Sequence, residues 1–355
     1  MKQVTIIVPI YNVENYLRTC FESLLKQTSK EYEVLAVNDG SPDNSQAIIE
    51  EYAAKYPDLI HAVQKENGGY GSVLELAIQT IDTPYFLVCD PDDTLEPNAV
   101  ETLLNLAKVS GADLTVGAKT FVYENSRDED YDKAYNGAYV TLKPNTIYRK
   151  GSERYDDLFF IDPSPHAKLY KKALSEKIRF PKKVGYTDNL LFYINLISAD
   201  SVIYTDVSLA DYLIDRAGNS MGDISVKAMR GEIEVFKSIL KQAEALGDVP
   251  DIFYYRMYES FKFMLYKTRR VQCTKREYVK ILDQLEGFLQ SLLKHSDVII
   301  HYYRKYTKVK ILERFRDELL LRDLTQKRTY ASLKKKMADA FEEKMDEAIE
   351  KAKEA

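Results

Sequence analysis

Long apolar runs, paired cysteines and the common nucleotide-loop signatures are all missing from this chain of 355 residues. Without an apolar stretch of bilayer length, and with Met1-Lys2-Gln3 leading straight into a short strand-like run, neither a membrane span nor a signal peptide is expected. Cys20, Cys89 and Cys273 lie far apart and show no ligand spacing, which argues against a disulfide framework or a zinc site and suits a reducing, cytoplasmic setting. Neither Gly-x-Gly-x-x-Gly nor a P-loop occurs, so the usual dinucleotide and triphosphate cradles are excluded. Basic residues interleave with acids and no recognised binding motif appears, so nucleic acid is not an expected partner.

What is present is unevenly distributed. Residues 1–225 carry 22 Lys+Arg against 34 Asp+Glu, a net of −12, and residues 226–355 carry 28 against 21, a net of +7; together they give the chain's −5. An acidic half joined to a basic, Tyr-rich half points the second part toward something anionic, a membrane surface or lipid phosphate, or toward another subunit. A Lys-rich helical surface explains the same charge. The length suits two domains with a substantial core.

The first half alternates strand and helix signals. Apolar runs at Val4–Pro9, Glu33–Val37, Leu59–Gln64, Tyr85–Cys89, Leu114–Val122, Val202–Val207 and Leu209–Ile214 read as strands, with amphipathic helices between them, including Gln46–Lys55 and Asn98–Ser110. This predicts an α/β fold with a mostly parallel sheet flanked by helices. Residues 123–150 are polar and read as an insertion or a second, smaller sheet.

Chemistry concentrates at strand ends. Tyr85–Cys89 runs into Asp90, Asp92 and Asp93, three acids that repel one another unless a hard divalent ion such as Mg²⁺ or Mn²⁺ neutralises them; a solvated turn is the alternative. After the second strand comes Asn38-Asp39-Gly40-Ser41, where Asp39 either accepts from the imide N–H of a uracil ring or makes a turn or helix cap. Asn67-Gly68-Gly69-Tyr70-Gly71 lets the backbone approach a ligand before a helix N-terminus, as a diphosphate would need, or is a simple turn.

Taken in order, Val8-Pro9-Ile10-Tyr11-Asn12, Val37-Asn38-Asp39-Gly40-Ser41, Asn67-Gly68-Gly69-Tyr70-Gly71-Ser72 and Asp90-Pro91-Asp92-Asp93 resemble a family 2 glycosyltransferase of the GT-A fold. The resemblance implies an inverting transferase that takes a sugar from a UDP-sugar donor. Pro9, Tyr11, Asp39, Asn67, Gly68 and Gly69 would then hold the nucleotide, Asp90 would sit near the ribose or sugar, and Asp92 would ligate Mn²⁺ or Mg²⁺. Asp188, in Gly185-Tyr186-Thr187-Asp188-Asn189, matches the family's base, although Thr187 replaces the usual Glu beside it. Arg216 matches a phosphate contact in the tail Tyr212 to Ser220. Asp93, His166 and Lys168 are further candidates for donor or acceptor contacts. Val73-Leu74-Glu75 departs from the Ala-Arg-Asn many members carry, so a basic donor contact is missing.

On this reading residues 1–224 form the catalytic domain and 225–355 a helical domain for acceptor, membrane-surface or oligomer contacts. Helices are predicted at 226–244, 251–272, 275–294, 297–320 and 330–353. Thr187 or Asp188 is expected to cap the helix that follows. The aromatic series Phe253, Tyr254, Tyr258, Phe261, Phe263 and Tyr266 reads as a packing face. The stretch Val298 to Lys310 combines apolar, aromatic and basic residues, which fits a membrane surface at the inner face of a bilayer, core packing or self-association. Expected acceptors are a surface polysaccharide, a lipid-linked glycan or a glycoprotein. A nucleotidyltransferase lacks support because the first strand ends without a basic, Gly-rich loop. A nucleotide- or partner-binding module without transferase activity is the remaining alternative.

Overall fold

A computed structural model of the chain describes residues 1–216, 223–306 and 327–354. They divide into two compact units, Met1–Met221 with Lys241–Asp248, and Gly222–Leu240 with Val249–Ala355.

The first unit is a mixed α/β sheet with flanking helices. Its elements are β1 (Val4–Ile10), α1 (Glu14–Leu25), β2 (Tyr32–Asn38), α2 (Ser45–Lys55), β3 (Ile60–Gln64), α3 (Tyr70–Thr80), β4 (Tyr85–Val88), β5 (Thr94–Leu95), α4 (Ala99–Ser110), β6 (Leu114–Val122), β7 (Glu129–Asp132), β8 (Thr146–Arg149), β9 (Lys168–Lys171), α5 (Thr187–Ser198) and β10 (Ser201–Leu213). The strand order is β3-β2-β1-β4-β9-β6-β10-β5, with β7 added beside β6 and β8 beside β10. Pairings among β1 to β4 are parallel, whereas β9 runs antiparallel between β4 and β6.

Every residue of β1 is buried, as a strand covered on both faces requires, and it reads as one apolar run with no alternation. Pro9 is tolerated there for a local reason. Residues of one parity point their N–H and C=O toward β4, Ile7 among them, since its carbonyl accepts from Cys89 N–H; Pro9 shares that side but lies past the last β4 pairing, Ile7 with Val88. Because β2 and β3 lie on one side of β1 and β4 on the other, the loops after β1 and β4 part at the carboxyl edge. That edge is the switch point at which open α/β sheets hold ligands.

Three expectations from the sequence change here. The two final strand pieces are one strand, β10, broken by register shifts beside β6. The polar segment 123–150 makes no second sheet: β7 and β8 join the main one, adding antiparallel pairings to those of β5 and β9. Neither Thr187 nor Asp188 caps α5; Tyr186 takes the cap position at φ 62° with no side-chain cap, and Thr187 is its first, buried residue.

The second unit is helical: most of α6 (Val226–Leu246), then α7 (Ile252–Lys267), α8 (Lys275–Leu292), α9 (Ser296–Tyr306) and α10 (Lys327–Glu354). Phe253, Tyr254, Tyr258 and Phe261 are buried as a packing face should be, but Phe263 and Tyr266 are exposed. In α9 the apolar side chains Ile299, Ile300, Tyr303 and Tyr306 are buried, which favours core packing over a membrane surface; residues 307–310, and the rest of the helix expected to 320, lie outside the described residues. No helix among the described residues is long and apolar enough to cross a membrane.

The acidic corner rests on α1. Ser23 Oγ accepts from Leu95 N–H, and Gln27, fully buried, donates to the Glu96 carbonyl at 2.8 Å while its Oε1 accepts from Val100 N–H at 3.0 Å. Replacing Gln27 with Leu orphans the buried Val100 N–H, while the Glu96 carbonyl keeps the Ala99 N–H at 2.9 Å. We expect Gln27→Leu to lose about 1–3 kcal/mol of stability, read as a lower urea midpoint at unchanged m-value.

Candidate active site

The loops after β1 and β2 are laced together by side chains. Asn12, at φ 56°, donates its N–H to Ser41 Oγ at 3.2 Å, Asp43 accepts from Glu14 N–H at 2.9 Å, and Glu14 returns the favour by accepting from Asn44 N–H at 2.7 Å. Between them Tyr11 stands half-exposed, its ring available to a planar partner, with Pro9 buried beneath.

Asp39 is buried and acts inward. Its Oδ1 accepts from Gly68 N–H at 2.9 Å and from the Lys65 ammonium, and its Oδ2 accepts from Gly69 N–H at 2.7 Å. Three of about four acceptor positions on the carboxylate are thus taken by the glycine loop and Lys65. Lys65 also donates to Ser72 Oγ at 2.9 Å and closes the loop on itself. The glycines serve the protein's own packing. A Cβ on Gly69 (φ 86°) would meet the Lys183 backbone at 2.8 Å, and one on Gly71 would meet Phe180 Cβ at 2.8 Å and the Thr187 side chain at 3.1 Å. Asn67 stays exposed at the rim.

The three acids after β4 have separate fates. Asp93 is buried; its Oδ1 accepts from Leu213 N–H at 2.8 Å and its Oδ2 lies 2.7 Å from His166 Nε2. Asp90 accepts from the Tyr70 hydroxyl at 2.7 Å. Asp92 pairs with Arg216, whose guanidinium also lies over the Tyr16 ring at 5.4 Å. The expected assignments of Asp92 to a cation and Arg216 to phosphate therefore meet a structure in which the two hold each other.

Burial, then the neighbouring acids, pushes the Asp90 and Asp93 carboxyls well above the usual carboxylate range. Burial first and the charges of Lys119 and Lys168 next hold His166 well below its ordinary value, so it is neutral. Its ring stacks on Tyr212 at 4.1 Å. Ligand atoms of Asp90, Asp93 and His166 all lie within 4.8 Å of one another. Two carboxylates short of compensating charge and a neutral imidazole fit a divalent cation.

Asp188 lies in the first turn of α5, and burial raises its carboxyl to about 6. Its charge reaches Asp90, Tyr70, Tyr170 and Lys168, so the base candidate and the acids after β4 share one neighbourhood. Lys168 is buried and donates to the Ser164 and His166 carbonyls, which makes it a brace for the histidine's loop; burial brings its ammonium down to about 7. Lys119, also buried, grips Asp162 and Ser164 in the same loop.

The sequence did not disclose Lys65, Tyr70 or Lys119 as parts of this arrangement. A lysine opening the glycine loop and a tyrosine inside it were the available signals. Lys119 gave none, since it looks like an ordinary surface charge.

Known proteins resemble this chain in sequence and in fold. The chain is 32% identical over 227 residues to the glycosyltransferase GlyA of Streptococcus pneumoniae serotype 4, an alignment covering 61% of this chain and 31% of GlyA. It is 33% identical over 219 residues to the minor teichoic acid biosynthesis protein GgaB of Bacillus subtilis, covering 59% of this chain and 22% of GgaB. The chain thus spans under a third of either relative. Among solved structures, S. aureus TarS 1-349 in complex with UDP-GlcNAc superposes with a TM-score of 0.65 at 20% identity, covering 85% of each chain, which shows a common fold. The family model "Glycosyl transferase family 2" matches residues 5–204, more than half of the sequence, and the chain belongs to that family.

Proposed function

We propose that the protein transfers a sugar from a UDP-sugar to an acceptor hydroxyl with inversion at the anomeric carbon, Asp188 being the base. The observation that carries this reading is the raised carboxyl of Asp188, at about 6, in the field of Asp90 and Tyr70. A general base works best near the operating pH. Inversion requires it on the face of the sugar away from the leaving diphosphate, where it takes the proton of the incoming hydroxyl. Tyr11 stacks on the uracil, with Pro9, Asp39, Asn67, Gly68 and Gly69 forming the nucleotide's wall, and Asp90 faces the ribose or sugar. TarS in complex with UDP-GlcNAc and UDP supports the donor class, and the similarity to GgaB, a minor teichoic acid biosynthesis protein, favours a surface-polysaccharide acceptor over a lipid-linked or glycoprotein one.

Mn²⁺ or Mg²⁺ is assigned to Asp90, Asp93 and His166, with Asp92 kept by Arg216. When bound, such an ion would offset the charge that builds on the departing diphosphate. Asp93 and His166 fix their own geometry through their direct contact, and Tyr70 orients Asp90. The basic helical unit, residues 225–355 in sequence terms, is assigned to the acceptor or the membrane surface that carries it, with Phe263 and Tyr266 as its exposed aromatic contacts.

UDP release from UDP-GlcNAc and related donors with Mn²⁺ tests the reading. Asp188→Asn is expected to lower release by on the order of 10²–10⁴-fold, and the wild-type rate should fall as pH drops through about 6. UDP binding without release from any donor would favour the binding module instead.

The same residue makes an opposite prediction for stability. Its folded value lies above 3.8, so the stability it contributes is present below about pH 4 and is lost as pH rises through about 6. Asp188→Asn should therefore unfold at higher denaturant than wild type above that pH, by up to about 3 kcal/mol, and converge with it in acid. For the cation, Mn²⁺ affinity in the presence of UDP, read by electron paramagnetic resonance, should weaken by at least about tenfold in His166→Gln and stay near wild type in Asp92→Asn.

A further inference from the structure

Between the glycine loop and the proposed base runs the segment 180–187, and its path is set by contacts with α3. Phe180 N–H donates to Glu75 Oε2 at 3.0 Å. Lys183 N–H donates to the Gly68 carbonyl at 2.8 Å, while Gly68 N–H is held by Asp39. One peptide residue thus joins the nucleotide wall on one side to the base-bearing segment on the other. Gly69 and Gly71 allow the approach, since a side chain at either would strike Lys183, Phe180 or Thr187.

The segment does not hold this shape through its own preferences. Lys183 (φ 58°) and Tyr186 (φ 62°) both sit in the left-handed region, which costs a non-glycine residue on the order of 1–3 kcal/mol and persists only where surroundings enforce it. Tyr186 then starts α5 without a side-chain cap, and inside the first turn Asn189 Nδ2 donates to the Tyr186 carbonyl at 3.2 Å. The contacts that tie the segment to α3 and the glycine loop are those at Phe180 and Lys183, next to Arg179, whose N–H and C=O both bond the Gln242 side chain.

We propose that Glu75 is a positioning residue for transfer: by anchoring Phe180 N–H it sets the placement of α5 and hence of the Asp188 carboxylate, so that the loop facing the donor and the base move as one piece. This rests on the function proposed above. A displacement of about 1 Å at a reacting group costs on the order of 10²-fold in rate, so the anchor has a large expected effect although Glu75 itself touches no substrate. Glutamine keeps the oxygen that Phe180 needs; leucine keeps the bulk and removes it.

The test compares the 355-residue chain as wild type, Glu75→Leu and Glu75→Gln. UDP release from UDP-GlcNAc with Mn²⁺ gives kcat against pH, calorimetry gives UDP affinity, and carbon-13 NMR of labelled aspartates follows Asp188, identified by its loss in Asp188→Asn. Glu75→Leu should lower kcat by on the order of 10²-fold, leave UDP affinity unchanged and move the Asp188 titration, and Glu75→Gln should restore both. Unchanged kcat and titration in Glu75→Leu, or a glutamine variant as impaired as the leucine one, overturns the proposal. If wild type releases no UDP from any donor, the proposed function falls, and the Asp188 titration decides alone: movement in leucine but not glutamine sustains the anchoring, and no movement ends it.

Discussion

Negative charge packed at the edge of an apolar sheet is the constraint around which the first unit is arranged. Asp90 and Asp93 follow directly from buried β4, with Asp188 acting on the same space, and each carboxyl is pushed toward its neutral form by the loss of water. Such a group is kept only if partners soften the cost. Tyr70 donates to Asp90, the Leu213 backbone and His166 meet Asp93, and Arg216 takes Asp92. Those partners come from α3, β10, the loop before β9 and the residues after β10, which is why so much of the sheet must close before the corner exists. Chemistry and architecture here draw on one resource, the mutual repulsion of acids, which the fold restrains and a cation would relieve.

Asp39 shows the complementary case. Its carboxylate is spent on the protein's own glycine loop and on Lys65, and the glycines give passage to the Lys183 segment more than to a ligand. The residue types match what a nucleotide needs, yet much of their work is to keep a wall in place. The glycine loop and the segment leading to Asp188 are consequently not independent parts, because Gly68 bonds to both Asp39 and Lys183.

Much of this could be read from the chain in advance. Buried parallel strands announce themselves as short apolar runs, so β1 to β4 and the helices between them were legible within a residue or two, as was the convergence of acids at strand ends. Two kinds of feature escaped. Short polar strands such as β7 and β8 carry no apolar periodicity, and only pairing with β6 and β10 reveals them. The division of labour among Asp90, Asp92 and Asp93 was likewise hidden, because a turn one residue longer or shorter redirects each side chain. Sequence identifies three carboxylates; the turn decides which one meets His166 and which one meets Arg216. Glu75 belongs with these, since its value depends on a backbone N–H 105 residues away.

The parting of the loops after β1 and β4 has a consequence for how such a protein diversifies. Strands β1, β2 and β4 are joined by backbone bonds and apolar contact, and none of that depends on the identity of side chains beyond their carboxyl ends. Changes at exposed positions of those segments, such as Tyr11, therefore leave the strands in place, whereas changes at the buried Asp93 orphan the backbone N–H it holds.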